Sequence, residues 1–110
     1  MKKIYKVKDI VHSGIKGERG APVTNEKYKY VIGYKCFFDK DDIELGWSFV
    51  FYFINNPEYI CWGTSAVDGI EEKPLEKELI IETRNSIYTF EELGDYEMSE
   101  QATVAYVMTR

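Results

Sequence analysis

Histidine and cysteine are almost absent: the chain carries His12 alone and two thiols, Cys36 and Cys61, among 110 residues. A zinc site needs three or four such ligands, so neither a metal nor any other cofactor is expected. Both cysteines lie in apolar settings, Tyr34-Lys35-Cys36-Phe37-Phe38 and Ile60-Cys61-Trp62. That context predicts buried, reduced, unreactive thiols, with a disulfide open only if the two strands are neighbours. Long hydrophobic runs are missing too. The longest, 47–54, falls far short of the roughly 20 residues that span a bilayer. The basic start MKKIYKVKD has no apolar stretch behind it, so no signal peptide is expected and the location reads as cytoplasmic. Proline is confined to Pro22, Pro57 and Pro74, and there is no internal repeat or low-complexity tract.

What is present is a folded composition. Hydrophobic residues make up 45% of the chain and aromatics 15%, enough apolar surface to offset the ordering entropy that keeps polar chains disordered. The length suits one domain over 1–110, with a body at 1–93 and an extension at 94–110. Net charge is −5, but it is distributed unevenly. Residues 1–35 hold nine Lys or Arg against three acids, a balance of +6, and residues 36–110 hold 5 bases and 16 acids, a balance of −11. Two fields of opposite sign suggest a protein that steers partners to a face.

The pattern along the chain is mostly extended. Residues 4–11 alternate, with Tyr5, Val7 and Val11 on one side and Lys6, Lys8 and Ile10 on the other, which predicts a first strand. A long loop follows at 12–24, with Gly14, Gly17, Gly20 and Pro22, and then a short helical turn capped by Thr24 or Asn25. Strands are expected at 34–39, 47–54 and 59–67. In the second of these, Trp47, Phe49, Phe51 and Phe53 share one face, while Val50, Tyr52 and Ile54 share the other. A strand apolar on both faces is expected to be central or to be covered by something such as a partner subunit. Asn55-Asn56-Pro57-Glu58 and Glu71-Glu72-Lys73-Pro74 read as turns. Residues 79–83 and 86–90 form the best hairpin signal, with Arg84-Asn85 at its tip and Asn85 supplying the positive φ of a tight turn. Residues 100–109 lean toward a helix capped by Ser99. The fold expected is mainly β, a small antiparallel sheet or SH3-like barrel of five to six strands, with a long glycine-rich loop and a short C-terminal helix.

Three groups of residues are candidates for binding. Gly14-Ile15-Lys16-Gly17-Glu18-Arg19-Gly20 places cations between glycines, and Lys16, Gly17, Arg19 and Gly20 suit a backbone nest for a phosphate or carboxylate. It lacks the Gly-Lys-Ser/Thr ending of a P-loop. Arg84, Asn85 and Tyr88 put a guanidinium, an amide and a hydroxyl near one hairpin tip. Asp41, Asp42 and Glu44 make an acidic turn that could occupy a basic groove on another protein. Catalytic constellations are thin: His12 and Ser13 are neighbours whose side chains point apart in a strand, and no elbow motif surrounds a serine.

Thr64-Ser65-Ala66-Val67, followed by Ile81-Glu82-Thr83-Arg84-Asn85-Ser86-Ile87-Tyr88, resembles strands near the end of short phage-, prophage- and plasmid-borne proteins of Gram-positive bacteria. The Gly-Glu-Arg loop is similar as well, while 95–110 has no counterpart. The resemblance covers about a third of the chain and brings no assigned catalytic residues. It implies a small accessory protein of a mobile element, acting by binding to block a host defence protein or sequester its signal molecule. The expectation is therefore a non-enzymatic inhibitor, a homodimer, that binds a host protein or an anionic, nucleotide-like ligand. A single-stranded nucleic-acid-binding module and a structural homo-oligomer subunit are the alternatives, the first drawing on the interleaved lysines and tyrosines of residues 1–35.

Overall fold

The computed structural model describes residues 1–96. Six antiparallel strands follow one another around a closed barrel: β1 (Lys3–His12), β2 (Lys35–Phe38), β3 (Ser48–Phe53), β4 (Cys61–Lys73), β5 (Glu78–Thr83) and β6 (Ser86–Asp95). The mainly β, antiparallel expectation holds, and closure of β6 onto β1 leaves no free sheet edge among the described residues. One short helix, α1 (Glu26–Val31), lies between β1 and β2, capped by Asn25, whose Oδ1 accepts from the Lys27 amide at 2.8 Å. The C-terminal helix expected at 100–109 lies outside the described residues.

Alternating side chains turn inward and fill the barrel with rings. Phe51, wholly buried, lies 5.2 Å from Phe90 and 5.5 Å from both Phe49 and Phe53 between ring centroids. Tyr5 stacks on Phe38 at 4.1 Å. Burial holds the Tyr5 hydroxyl neutral, its pKa pushed up to about 12 with help from Glu92 and Glu72.

Irregularities in the pairing correct four expectations. In β1, Lys8 and Asp9 are both exposed because the register with β6 shifts between Val7 and Asp9, a bulge that moves Ile10 inside in place of Val11. β4 continues through Glu71, Glu72 and Lys73, paired with Ile80, Leu79 and Glu78, so these residues are strand; the turn comes afterwards at Pro74–Glu76, with Lys77 in the left-handed region. β4 can be this long because its first half pairs with β3 and its second with β5, with a register shift between Val67 and Gly69 where it bends around the barrel. Trp47 is no part of the inward face: it precedes β3 and is 69% exposed. Cys61 is exposed, and only Cys36 is buried, its thiol pushed well up by burial. Both cysteines are free, and β3 separates their strands.

The outer wall has its own apolar band. Register aligns Ile4 with Phe37, Phe37 with Tyr52, and Tyr52 with Cys61 across four strands. Tyr96 closes one end of this band by stacking on Phe37 at 4.3 Å. Val50 and Tyr52 remain 46% and 42% exposed on it, so β3 is apolar on both faces as expected, yet nothing among the described residues covers the outer one.

Candidate functional site

Connections leave the barrel at two ends. Loops 13–34, 54–60 and 84–85 share one end, and loops 39–47 and 74–77 the other.

At the first end the glycine loop is a folded hairpin. The His12 amide donates to the Ala21 carbonyl at 2.9 Å, the Gly20 amide to the His12 carbonyl at 2.8 Å, and Val11 bridges to Pro22. Gly17 lies against the His12 imidazole so closely that a Cβ there would stand 2.5 Å from the ring. Only glycine fits at that approach. Arg19 does not face a ligand: its guanidinium forks onto the Glu82 carboxylate at 2.7 and 3.0 Å and donates to the Ser13 carbonyl at 2.9 Å. The pair holds the Glu82 carboxyl below its usual range, through the hydrogen bond first and the charge second.

The hairpin tip is held equally firmly, though not in the expected way. Asn85 does not adopt positive φ. Instead the Arg84 amide donates to the Ala66 carbonyl at 2.9 Å and the Asn85 amide to Ser65 Oγ at 3.0 Å. The Ser13 amide donates to the Asn85 carbonyl at 3.3 Å, and Ser13 Oγ to the Arg84 carbonyl. Thr83 Oγ1 closes the turn by accepting from the Ser86 amide and donating to its carbonyl. Tyr88 points inward, where its hydroxyl accepts from Trp62 Nε1 at 3.1 Å and burial pushes its pKa well up. Of the residues expected at this end, Lys16 and Asn85 meet in one pocket of about 150 Å³, together with His12, Val23, Thr24, Asn25, Tyr28 and Ser86. Gly17 backs it through His12, Arg19 is engaged by Glu82, and the exposed Arg84 is not among the lining residues.

At the second end the acidic turn is a single 3-10 turn, Lys40–Asp42. Asp39 organises it, accepting from the Asp41 amide at 2.9 Å through Oδ1 and from the N-terminal amine of Met1 at 2.9 Å through Oδ2. Those bonds hold the Asp39 carboxyl low and raise the amine. Lys40 pairs with Glu72 at 2.8 Å. Among the described residues Asp41, Asp42 and Glu44 are exposed and form no ion pair. The segment after them is anchored to β4: the Gly46 amide donates to the Val67 carbonyl at 2.8 Å, and the Val67 amide to the Trp47 carbonyl at 2.9 Å. Trp47 and Leu45 are thus 69% and 64% exposed on a backbone that is tied down. A groove of about 220 Å³ links this turn to the outer wall, lined by Phe37, Asp39, Asp42, Ser48, Val50 and Tyr52 among others.

Folding bridges part of the charge split. β1 lies beside β6, so Lys3 meets Glu92 at 3.2 Å, while Lys8 reaches Glu78 and Arg19 takes Glu82, both on β5. Three cations of the basic third are thereby matched by acids from the rest of the chain. Among the described residues no group of three or more His, Cys, Asp or Glu is placed to hold a metal, and no helix is long and apolar enough to cross a membrane.

No family model, curated protein or solved structure matches this chain. Its function therefore has to be argued from these two ends. The signal that sequence reading missed is Trp47 with Leu45: Trp47 reads as part of the apolar face of its strand, Leu45 carries no signal of its own, and only the anchoring of 46–47 on Val67 shows them displayed.

Proposed function

We propose that this chain is a non-enzymatic binding protein that docks onto a basic, apolar-pocketed surface of a host protein through its acidic end. Trp47 and Leu45 are the anchors, Val50 and Tyr52 extend the contact along the outer wall, and Asp41, Asp42 and Glu44 supply the complementary charge. The observation that carries this reading is the display of Trp47 on a hydrogen-bonded backbone just after three exposed carboxylates that form no ion pair among the described residues. Binding energy concentrates in preorganised aromatic anchors, and rim charges set on-rate and partner choice. In the setting the resemblance implies, the partner belongs to a bacterial defence system, the site of action is the host cytoplasm, and occupation of its basic surface inhibits it.

The test is affinity capture from Gram-positive lysate with four baits: the native chain, Trp47→Ala, the triple variant Asp41→Asn/Asp42→Asn/Glu44→Gln, and Lys16→Ala as a control at the opposite end. The expected result is a basic protein, identified by mass spectrometry and reconstituted pure, that the native and Lys16→Ala chains retain and the other two lose. Retention should weaken as ionic strength shortens the Debye length to below about 8 Å. Capture that is indifferent to both surface variants, or no capture at all, overturns the proposal. So does light scattering that shows the chain pairing with itself through Trp47.

A further inference from the structure

We propose a second site at the opposite end of the barrel: the pocket between the glycine loop, α1 and the β5–β6 tip is a preformed receptor for a phosphate-sized oxyanion. The argument starts from its lining. Lys16 brings an ammonium, Asn85 an amide, Thr24 and Ser86 hydroxyls, His12 an imidazole and Tyr28 a ring, with no carboxylate in the wall. Other grooves among the described residues do carry carboxylates: Glu72, Glu78 and Glu92 beside Lys3, Lys40 and Lys77 in one, and Asp39 and Asp42 beside Lys2 in another, so their cations are already matched by acids where Lys16 is not. On a chain of net charge −5, a concavity that offers an ammonium, amide and hydroxyl donors and no carboxylate favours an anion.

The walls are also fixed before any ligand arrives. The tip is bonded to β4 through Ala66 and Ser65 and to Ser13 on the other side. The loop is tied to His12 by Gly20 and Ala21 and clamped to β5 by the Arg19–Glu82 fork. This gives Arg19 a positioning role: it holds the loop that carries Lys16. Preorganisation of this kind lowers the ordering cost of binding. The volume of about 150 Å³ sets the ligand class. Pockets that enclose drug-sized molecules run from about 300 Å³ upward, so this one takes a single phosphate group and leaves the rest of a nucleotide outside.

Titration of the ¹⁵N-labelled chain by NMR tests this, with inorganic phosphate, AMP and adenosine as probes. Phosphate and AMP should shift the Gly17, Asn85 and Ser86 amides saturably. Lys16→Ala should weaken that binding by about tenfold, the scale of one lost charge-assisted hydrogen bond. Lys27→Ala, on the exposed face of α1, should leave it unchanged. Phosphate binding as tightly as AMP identifies the free anion as sufficient; tighter AMP binding with added shifts at Tyr28 identifies a nucleotide phosphate, and either supports the site. Shifts spread over all lysine-flanking amides, binding unaffected by Lys16→Ala, or adenosine binding as well as AMP overturns it. Both variants are surface changes, and an otherwise unaltered spectrum confirms that each folds.

Discussion

Trp47 and Phe51 stand four residues apart with the same apolar character, and the structure assigns them opposite fates, so truncating each to alanine tests the placement directly. Phe51 is fully buried, ringed by Phe49, Phe53, Phe90 and Tyr88 at centroid distances of 5.2 to 6.1 Å. Its removal opens a cavity among aromatic side chains that are themselves held by a closed barrel and cannot collapse into it. Phe to Ala in such a setting costs about 3–5 kcal/mol. For a domain of this length, total stability is on the order of 5–15 kcal/mol, so Phe51→Ala removes roughly a fifth of it or more and lowers Tm by roughly 15–25 °C. Trp47 is 69% exposed and its side chain leaves little behind when removed; the expected change is within about 0.5 kcal/mol, the range of ordinary surface substitutions. Urea unfolding followed by far-UV circular dichroism measures both, with equal slopes validating the comparison. A Phe51→Ala loss under 1 kcal/mol, or a Trp47→Ala loss above 1 kcal/mol, refutes the inward and outward assignment and with it the docking surface.

In the folded chain a thiol reagent should modify Cys61 rapidly and Cys36 only on unfolding, since one is exposed and the other buried with a raised pKa; Cys61, aligned with Tyr52, should become protected when the proposed protein partner is bound. Gly17→Ala should destabilise the glycine loop by pushing a methyl into His12, and His12→Ala should rescue it, a coupling that a double-mutant cycle measures and that additive effects would disprove. The Met1 amine and Asp39 give a pH signature of defined sign. Asp39 is held low when folded, so its contribution is present above the usual carboxylate range and lost as pH falls through the folded value; the amine is raised, so its contribution is present below about pH 8 and lost as pH rises through its folded value. Asp39→Asn should flatten both limbs of the stability profile, and a profile unchanged by it would count against the pair. Spectroscopic titration should find Tyr5 still neutral at pH 11, since its folded pKa lies near 12.

Much of the barrel was legible because period-two alternation survives wherever a strand faces one core. β3 and the β5–β6 hairpin followed from Phe49, Phe51, Phe53 and from Leu79 to Phe90 for that reason. Where reading failed, the cause was an event that local pattern does not encode. The β1 bulge flips Ile10 inward, and the only local trace is the adjacent charged pair Lys8-Asp9, two polar residues where alternation demands one. The tail of β4 reads as a turn because Glu71, Glu72 and Lys73 are solvated on the wall of the barrel; their strand character comes from pairing with β5. The candidate anion site was half visible: Lys16 and Asn85 were singled out on separate segments, but the loss of Arg19 to Glu82, 63 residues away, is a tertiary fact. Asn85 suggested a backbone conformation it does not adopt, because Ser65 and Ser13 stabilise the tip by other means.

The seam between β1 and β6 imposes an order on biosynthesis. Of the six described strands, β1 is paired along most of its length with β6, the one made last among them, from Lys3 opposite Asp95 to His12 opposite Ser86. Until some 95 residues have emerged, β1 presents half of its backbone donors and acceptors unmatched, and the nascent meander keeps two open flanks. Barrel closure therefore waits for β6 to be synthesised, and it is slow by the measure of sequence separation between contacts. Lys6 and Lys8, outward and charged, guard the waiting strand against association with neighbouring chains until β6 arrives.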